Sequence, residues 1–424
     1  MFPNVLIISH NVLSKRFNNG KTIYSLFKNW PEKSLAQIYF RNEEPDFLSK
    51  IKYFRILDRD VLNSIFRSEK YYGDEIESQN SSYLINKIRF SFLFQLLKSP
   101  FFYLIRDFIW LCKESSNNKL DKWLTDYSPD IVFFVTSNNT FSYDFALSII
   151  AKFKLPLILY FTDDYLNSKF TFDPFFHIRL LRIRNRFQLA MKSASHSFVI
   201  GEAMESEYRK RYGVDFQPIM QIVEFPKLPI PTDRIKEEIW IVYLGNLSLK
   251  RWQSLTEIST IIETISKNGC EVKFSIFSLE VPSKKIIKAL NKPPGVIFEG
   301  SVTEDQKHEV LLKADIVIHT ESFDKNSIFQ SKLSVSTKIS EYLCFGKCIL
   351  AYGPKEVASI QYLEKYKAAV ICNSKEELRE KLESLIFNYK LRIDYMNSAL
   401  SLAKNKHVSP DMNKIMRKCI EEKK

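Results

Sequence analysis

Short apolar runs alternate with amphipathic stretches along the second half of the chain. The runs are rich in β-branched and aromatic residues and lie at 239–245, 272–278, 296–301, 315–320, 347–353 and 368–373. Stretches with helical periodicity lie between most of these runs, for example at 253–267, 304–313 and 338–345. This alternation predicts βαβ units and a parallel sheet covered on both faces. The continuous apolar run IWIVYLG agrees with burial on both sides.

The first half shows the same alternation less regularly. Its strand candidates lie at 5–9, 35–40, 131–135, 157–161 and 196–201. Residues 44–125 are irregular and aromatic-rich, and we expect helices with an insertion there. Three prolines and little periodicity predict an interdomain linker within 224–238. The predicted fold class is α/β, with two doubly wound Rossmann-like domains facing a central cleft, where ligands bind outside the carboxyl ends of the strands.

Composition and charge narrow the classes of function. The 424 residues are 45% hydrophobic, enough for two or three domains with sizeable cores. Six cysteines without a CxxC pair argue against a disulfide scaffold and against a zinc ribbon. The net charge of +13 forms no basic half or continuous stripe, so a nucleic-acid-binding protein fits poorly.

One basic stretch stands out, between Lys169 and Lys192, with six cations, five phenylalanines and one acidic residue. Arg179, Arg182 and Arg186 share one helical face there. Such a face predicts peripheral contact with an anionic membrane. The alternative is a helix whose arginines are solvated and whose phenylalanines pack inward.

The most membrane-like stretch of the sequence is 87–113. Its longest uncharged run is eight residues, whereas a helix that spans a bilayer needs about 18, so no membrane span is predicted. We expect a cytoplasmic protein that touches the inner face of the cytoplasmic membrane.

Strand ends in the second half carry glycine and charged residues. Gly245 would let backbone approach a ligand, and Lys250 with Arg251 would neutralise a diphosphate. The alternative is a glycine turn followed by two solvated cations. Backbone groups between Gly300 and Val302 are free to recognise a base, while the next residues, T-E-D-Q, have the form of a capping box.

A polar helix start follows at 334–341. Ser336 and Thr337 crowd a point where free N–H groups and the helix dipole favour an anion. Lys338 adds a positive charge, and Glu341 follows about one turn later. This mixture suits phosphates and a ribose diol. The alternative is an N-capped helix with an intrahelical Lys–Glu pair.

The segment TKISEYLCFGKCIL at 337–350 resembles the donor-nucleotide site of GT-B-fold glycosyltransferases. The similarity is to the family 4 enzymes (glycosyl transferases group 1) of bacterial surface-polysaccharide synthesis, whose pattern is E-(Y/A)-(L/M)-A-x-G-(K/R)-P-(I/V). It extends back through Gly245, the Lys250–Arg251 pair and the segment FEGSV, and covers roughly 239–373.

The resemblance implies a role for each part of the chain. Residues 1–224 would form the acceptor-side domain, 225–238 the linker and 239–385 the nucleotide-sugar-binding domain. Residues 386–424 would be helices that pack back on the N-terminal domain. Lys250, Arg251 and Lys338 would hold the donor diphosphate and Glu341 the ribose. No cofactor is implied beyond the nucleoside-diphosphate sugar itself.

One departure from the family pattern concerns catalysis. The family has two glutamates separated by seven residues, and Leu333 occupies the place of the first. Glu321, in the segment HTESFD, is the candidate to replace it.

In the first half, Asp163 and Asp164 follow the run LILYF and would serve as base or bind acceptor hydroxyls. The alternative for them is a solvated acidic loop. Gly20 lies in the loop after the first strand, where related enzymes place a glycine near the donor phosphate. His10 also follows this strand, and we expect a structural role for it. The histidines form no metal-binding pattern, which predicts metal-independent chemistry.

These observations predict a glycosyltransferase that moves a sugar from a nucleotide-sugar donor to a saccharide or lipid-linked hydroxyl acceptor. The setting implied by the resemblance is assembly of bacterial cell-surface polysaccharide or lipopolysaccharide. Two alternatives remain at this point: a nucleotide-sugar 2-epimerase of the same fold, and a non-catalytic nucleotide-sugar-binding protein.

Overall fold

The computed structural model describes residues 2–15, 18–45, 50–66, 71–76, 99–112, 117–167, 171–227, 238–266, 271–291, 294–407 and 410–423. The chain divides into two compact units. The first comprises Met1–Ile200, Tyr208–Ile219 and Pro410–Lys424, and the second Gly201–Glu207 and Met220–Ser409.

An eight-stranded sheet forms the core of the first unit. Its strands are β1 (Val5–Ser9), β2 (Leu35–Tyr39), β3 (Lys52–Arg55), β4 (Asp74–Glu75), β5 (Ile131–Val135), β6 (Leu157–Phe161), β7 (Ala194–Val199) and β8 (Gln217–Pro218). The order is β4-β3-β2-β1-β5-β6-β7-β8, and all neighbours are parallel except β3 and β4. The strand order therefore reverses between β1 and β5, at a topological switch point.

Helices connect these strands. They are α1 (Asn18–Leu26), α2 (Asp58–Phe66), α3 (Pro100–Leu111), α4 (Asn118–Tyr127), α5 (Thr140–Phe153), α6 (Pro174–Ser193) and α7 (Glu202–Tyr212). The start of α6 follows ordinary capping rules. The Asp173 carboxylate accepts the Phe175 and Phe176 amides, and Pro174 occupies the first turn of α6. Central strands β1, β5 and β6 are buried along their whole length, because both faces are covered.

A six-stranded parallel sheet forms the core of the second unit. Its strands are β9 (Glu238–Leu244), β10 (Glu271–Phe277), β11 (Val296–Gly300), β12 (Ile316–Thr320), β13 (Cys348–Tyr352) and β14 (Val370–Cys372). The order β11-β10-β9-β12-β13-β14 places the switch point between β9 and β12. Two apolar clusters cover the sheet: Ile241 and Tyr243 belong to one, Val242 and Leu244 to the other.

The remaining helices complete the chain. They are α8 (Arg251–Ser266), α9 (Lys284–Leu290), α10 (Glu304–Lys313), α11 (Lys325–Ser331), α12 (Thr337–Cys344), α13 (Ala358–Lys365), α14 (Lys375–Phe387), α15 (Tyr389–Lys406) and α16 (Met412–Lys423). None of the described helices is long and apolar enough to cross a bilayer.

Most predicted strands appear within one or two residues of their expected bounds, and α10 appears with the predicted bounds. Strands β3 and β4 lie in the region expected to be helical with an insertion. Residues 386–424 were predicted to pack back on the N-terminal domain. In the structure α16 belongs to the first unit, but α15 belongs to the second. Residues 228–237 of the predicted linker, and Lys169, lie outside the described residues.

Candidate active site

At the switch point of the second sheet, a tyrosine side chain bonds to the end of strand β9. Strands β9 and β12 pair only as far as Tyr243 and Ile318. Beyond that point, the Tyr342 hydroxyl of α12 accepts the Leu244 N–H at 3.3 Å and donates to the Leu244 carbonyl at 3.1 Å. The hydroxyl thus satisfies backbone groups that the diverging strands leave without a ladder partner. It also fixes the start of the loop after β9 against α12.

An ion pair crosses this switch point. Nε and Nη2 of Arg251 lie 3.0 and 2.8 Å from Oε2 of Glu321, which directly follows β12. Glu321 is buried, and its Oε1 accepts from the Ser359 hydroxyl at 3.4 Å and lies 3.7 Å from Nε2 of His319. Burial lowers the pKa of Arg251, but Glu321, Tyr243 and Glu280 together outweigh this effect, so the pKa is raised. A Cβ at Gly353 would lie 3.0 Å from that of Glu321, so glycine makes room for the carboxylate.

Lys338 lies in the first turn of α12, whose N-cap is Ser336. Burial lowers the pKa of Lys338, and the charge of Arg251 lowers it further, while Glu341 and Glu321 act in the opposite direction. Within the ranges that the structure describes, no carboxylate lies at ion-pair distance from its Nζ. The predicted anion site therefore contains a cation that still lacks a direct counter-charge.

Glu341 pairs with a residue that the sequence did not single out. Its Oε1 lies 2.8 Å from Nζ of Lys307 on α10, which also contacts Glu304 at 2.9 Å. The intrahelical ion pair between Lys338 and Glu341, which is the alternative that the sequence allows, is not formed. Lys307 gave no sequence signal beyond its place in the first turns of a capped helix. The capping box itself, Thr303 with Gln306, is confirmed.

The loop after β9 directs its two cations to different carboxylates. Leu249 and Lys250 adopt positive φ angles of 54° and 59°, and Nζ of Lys250 lies 2.7 Å from Oδ1 of Asp324. Asp324 also caps α11. The hydrogen bond from Lys250 is the main reason that the pKa of Asp324 falls to about 2.

Gly245 and Gly300 are glycines for different reasons. A Cβ at Gly245 would lie 2.3 Å from the Tyr243 hydroxyl, which donates to the Asn246 carbonyl at 2.6 Å. Crowding by protein therefore already requires this glycine. Gly300 has open space around it but a φ of +84°, a conformation that disfavours any side chain. Val302 packs against the second-unit core.

The two predicted aspartates of the first unit have different environments. Asp164 accepts from the Tyr208 hydroxyl at 3.1 Å, from Arg211 at 2.9 Å and from the Leu166 amide at 3.3 Å. Its side chain is 7% exposed, so it fastens the loop after β6 to α7. Asp163 is partly buried and accepts from the Tyr165 hydroxyl at 3.2 Å.

A polar cavity of about 160 Å³ lies at the switch point of the first sheet. Its lining comes mainly from the residues after β1 and β5 and is made up of Ser9, His10, Asn11, Asn19, Ile23, Val135, Thr136, Ser137, Asn138, Asn139 and Tyr165. Burial, followed by the charges of Arg106 and Arg41, lowers the pKa of His10 to about 4, so its ring is neutral at pH 7.

Gly20 packs α1 directly onto the loop after β1. A Cβ at this position would lie 2.0 Å from the Val12 carbonyl oxygen. The glycine is thus required by the close approach of helix and loop beside the cavity.

Comparisons with known proteins agree on the fold. No protein-family model matches the sequence, and curated protein sequences give no significant match. Among solved structures, HepE of Anabaena in complex with UDP and glucose is similar, with a TM-score of 0.62 and 12% identity over 99% of each chain. Sucrose-phosphate synthase from Thermosynechococcus elongatus has a TM-score of 0.61 and 10% identity over 99% of this chain and 98% of its own. WaaG, a glycosyltransferase involved in lipopolysaccharide biosynthesis, has a TM-score of 0.56 and 12% identity over 99% of both.

These neighbours have the GT-B fold of glycosyltransferases, and they match this chain over nearly its full length. The chain therefore has the GT-B fold, as predicted from its sequence.

Proposed function

We propose that the protein is a glycosyltransferase that moves a sugar from a nucleoside-diphosphate sugar to a hydroxyl acceptor. The observation that carries the proposal is Lys338, a partly buried cation without a carboxylate partner among the described residues, at the start of α12 and beside Arg251. Burying an unpaired charge is costly, and a diphosphate would supply the missing negative charge. HepE, a structural neighbour, binds UDP and UDP-glucose.

The donor would be held by the loops around the second switch point. Lys250, Arg251 and Lys338 would face the diphosphate, and backbone N–H groups at Ser336 and Thr337 would add donors. Glu341, kept in place by Lys307, would accept hydrogen bonds from the ribose hydroxyls. Backbone groups beside Gly245, and those of Gly300 and Val302, would contact the nucleoside.

In the transfer step the acceptor oxygen bonds to the anomeric carbon while the bond from that carbon to the diphosphate oxygen breaks. The hydroxyl proton passes to a base, for which Asp163 is our candidate. Asp164, already holding Tyr208 and Arg211, would position the loop. Glu321, beside the donor site, is our candidate to replace the first glutamate of the family pattern. The amide and hydroxyl groups of the first-unit cavity suit a polyhydroxylated acceptor.

We propose that the leaving diphosphate is stabilised by protein cations and the α12 dipole rather than by a metal ion. Full turnover in EDTA is then expected. Loss of turnover in EDTA that Mg²⁺ or Mn²⁺ restores would contradict this.

The setting that we propose is cytoplasmic assembly of cell-surface polysaccharide or lipopolysaccharide, the latter being the pathway in which WaaG is involved. Transfer to lipid-linked saccharide extracts is the corresponding assay.

The test of the donor site is nucleotide affinity measured by calorimetry. A charge-assisted contact contributes about 1.5–3 kcal/mol, so Lys338→Ala should weaken UDP or GDP binding about tenfold to a hundredfold. Lys288→Ala, an exposed lysine on α9, is the control and should bind as the wild type does. Unaltered binding in Lys250→Ala, Arg251→Ala and Lys338→Ala would refute the site.

A further inference from the structure

Helix α3 turns several large apolar side chains outward. Phe101, Ile105 and Phe108 follow each other at spacings of four and three and are exposed, with Phe108 64% accessible. On the opposite side, Asp107 and Trp110 are buried. A row of exposed apolar side chains opposite a buried aspartate is unusual for a helix on the surface of a protein in water.

Helix α6 lies beside α3 and continues the apolar exposure. The rings of Phe101 and Phe175 are 5.0 Å apart, and the Arg179 guanidinium lies 4.3 Å from the centre of the Tyr103 ring. Exposed apolar side chains on α6 include Ile178 and Leu181 at 49% and 58%. We call the combined patch the α3–α6 surface; its members are Phe101, Ile105, Phe108, Phe175, Ile178, Leu181 and Leu189.

The arginine face expected from the sequence is not the outermost part of α6. Arg179 packs on Tyr103 and donates to the Asn138 carbonyl, and Arg186 pairs with Asp144 at 2.5 Å. Two of the three arginines are thus occupied within the first unit. The outward side of α6 includes exposed apolar side chains at Ile178, Leu181 and Leu189 beside exposed polar ones.

Cations nevertheless outnumber acidic residues on these two helices, although Arg106 pairs with Asp58 at 2.8 Å. The two helices carry six cations and a single acidic residue, the buried Asp107; the cations are Arg106, Arg179, Arg182, Arg184, Arg186 and Lys192. Arg184 and Lys192 are exposed. Large exposed apolar patches in a folded protein mark a surface that something covers, and here the covering body must accept both apolar side chains and cations.

We propose that the α3–α6 surface lies on an anionic lipid bilayer. The apolar side chains enter the boundary between headgroups and acyl chains, while Arg184 and Lys192 remain near the lipid phosphates. Apolar insertion rather than charge provides most of the affinity, because the arginines of the inner face are already paired. The proposal does not depend on the nucleotide site.

Flotation of the full chain with phosphatidylcholine vesicles, with and without phosphatidylglycerol, tests this surface. The variant Phe108→Ser/Ile178→Ser/Leu181→Ser removes its centre. A matched control, Leu279→Ser/Phe387→Ser, removes two residues that are 66% and 63% exposed elsewhere. We expect the ratio of vesicle-bound to free protein to fall at least about tenfold in the triple variant and to stay at the wild-type value in the control. Raising salt should weaken wild-type binding without abolishing it.

The contrary outcomes are distinct. No flotation of the wild type, or equal flotation of the triple variant, overturns the proposal. Complete loss of wild-type flotation at high salt also overturns it, since charge alone would then carry the contact. A wild-type dimer that the triple variant converts to monomer, without vesicle binding, assigns the surface to a second copy of the chain. If circular dichroism shows that the triple variant is unfolded, Leu181→Ser alone should still reduce the ratio about threefold.

Discussion

At the residue scale, Lys338 should make nucleotide binding depend on pH. Its pKa is lowered in the free protein, chiefly by burial, and a bound diphosphate would raise it. Affinity for UDP is therefore greatest below the free-protein pKa and falls as the pH rises from there towards the higher bound-state value. Calorimetry from neutral to alkaline pH should show this decline. Lys338→Arg, whose charge persists across the range, should remove it; an unchanged decline would assign it to another group.

Glu321 allows a second prediction at this scale, because its role divides into chemistry and positioning. Glu321→Gln should lower turnover at least about a hundredfold if the carboxylate acts in the reaction. Donor affinity should change by less than about threefold, since Gln can still accept from Arg251. Stopped-assay kinetics with a calorimetric Kd separate the two effects. Wild-type turnover would refute the assignment, and a loss confined to affinity would show that Glu321 only orients Arg251.

At the scale of elements, the loop between β6 and α6 carries two aspartates with separable tasks. Asp164→Asn removes the charge that pairs with Arg211 and should reduce the free energy of unfolding by about 1–2 kcal/mol, as measured in urea. Asp163→Asn should leave stability within about 0.5 kcal/mol but lower turnover about a hundredfold or more. The opposite assignment follows if Asp164→Asn stays fully stable and loses turnover.

At the scale of the whole molecule, a nucleotide donor should stabilise the folded chain by mass action. A ligand at 100 times its Kd adds about 2.7 kcal/mol, which a thermal-shift screen of UDP-, GDP-, ADP- and CDP-sugars detects as a rise in Tm. The base that raises Tm most identifies the donor class. Lys338→Ala should require a correspondingly higher concentration for the same rise, and absence of any shift with all four would contradict the donor proposal.

The sequence by itself determined the fold and most of the elements, although not β3 and β4. Apolar runs of five to seven residues bounded by glycine, proline or charge specify buried parallel strands, because a strand covered on both faces has no polar side. Local rules also identified the capping box of Thr303 and Gln306, whose hydrogen bonds span only three residues. The motif at 337–350 was sufficient to predict the GT-B fold.

Only the tertiary structure decided which charges meet. Arg251 and Glu321 are 70 residues apart, Lys250 and Asp324 74, and Lys307 and Glu341 34. The first two pairings follow from the strand order, which brings β9 beside β12. The third follows because α10 and α12 pack into the same apolar cluster. The side of α6 that faces outward was likewise decided by packing against α3 and the sheet. Periodicity groups residues into faces, but burial of one face depends on neighbours distant in sequence. Distant neighbours also decide that Lys338 has no carboxylate partner among the described residues.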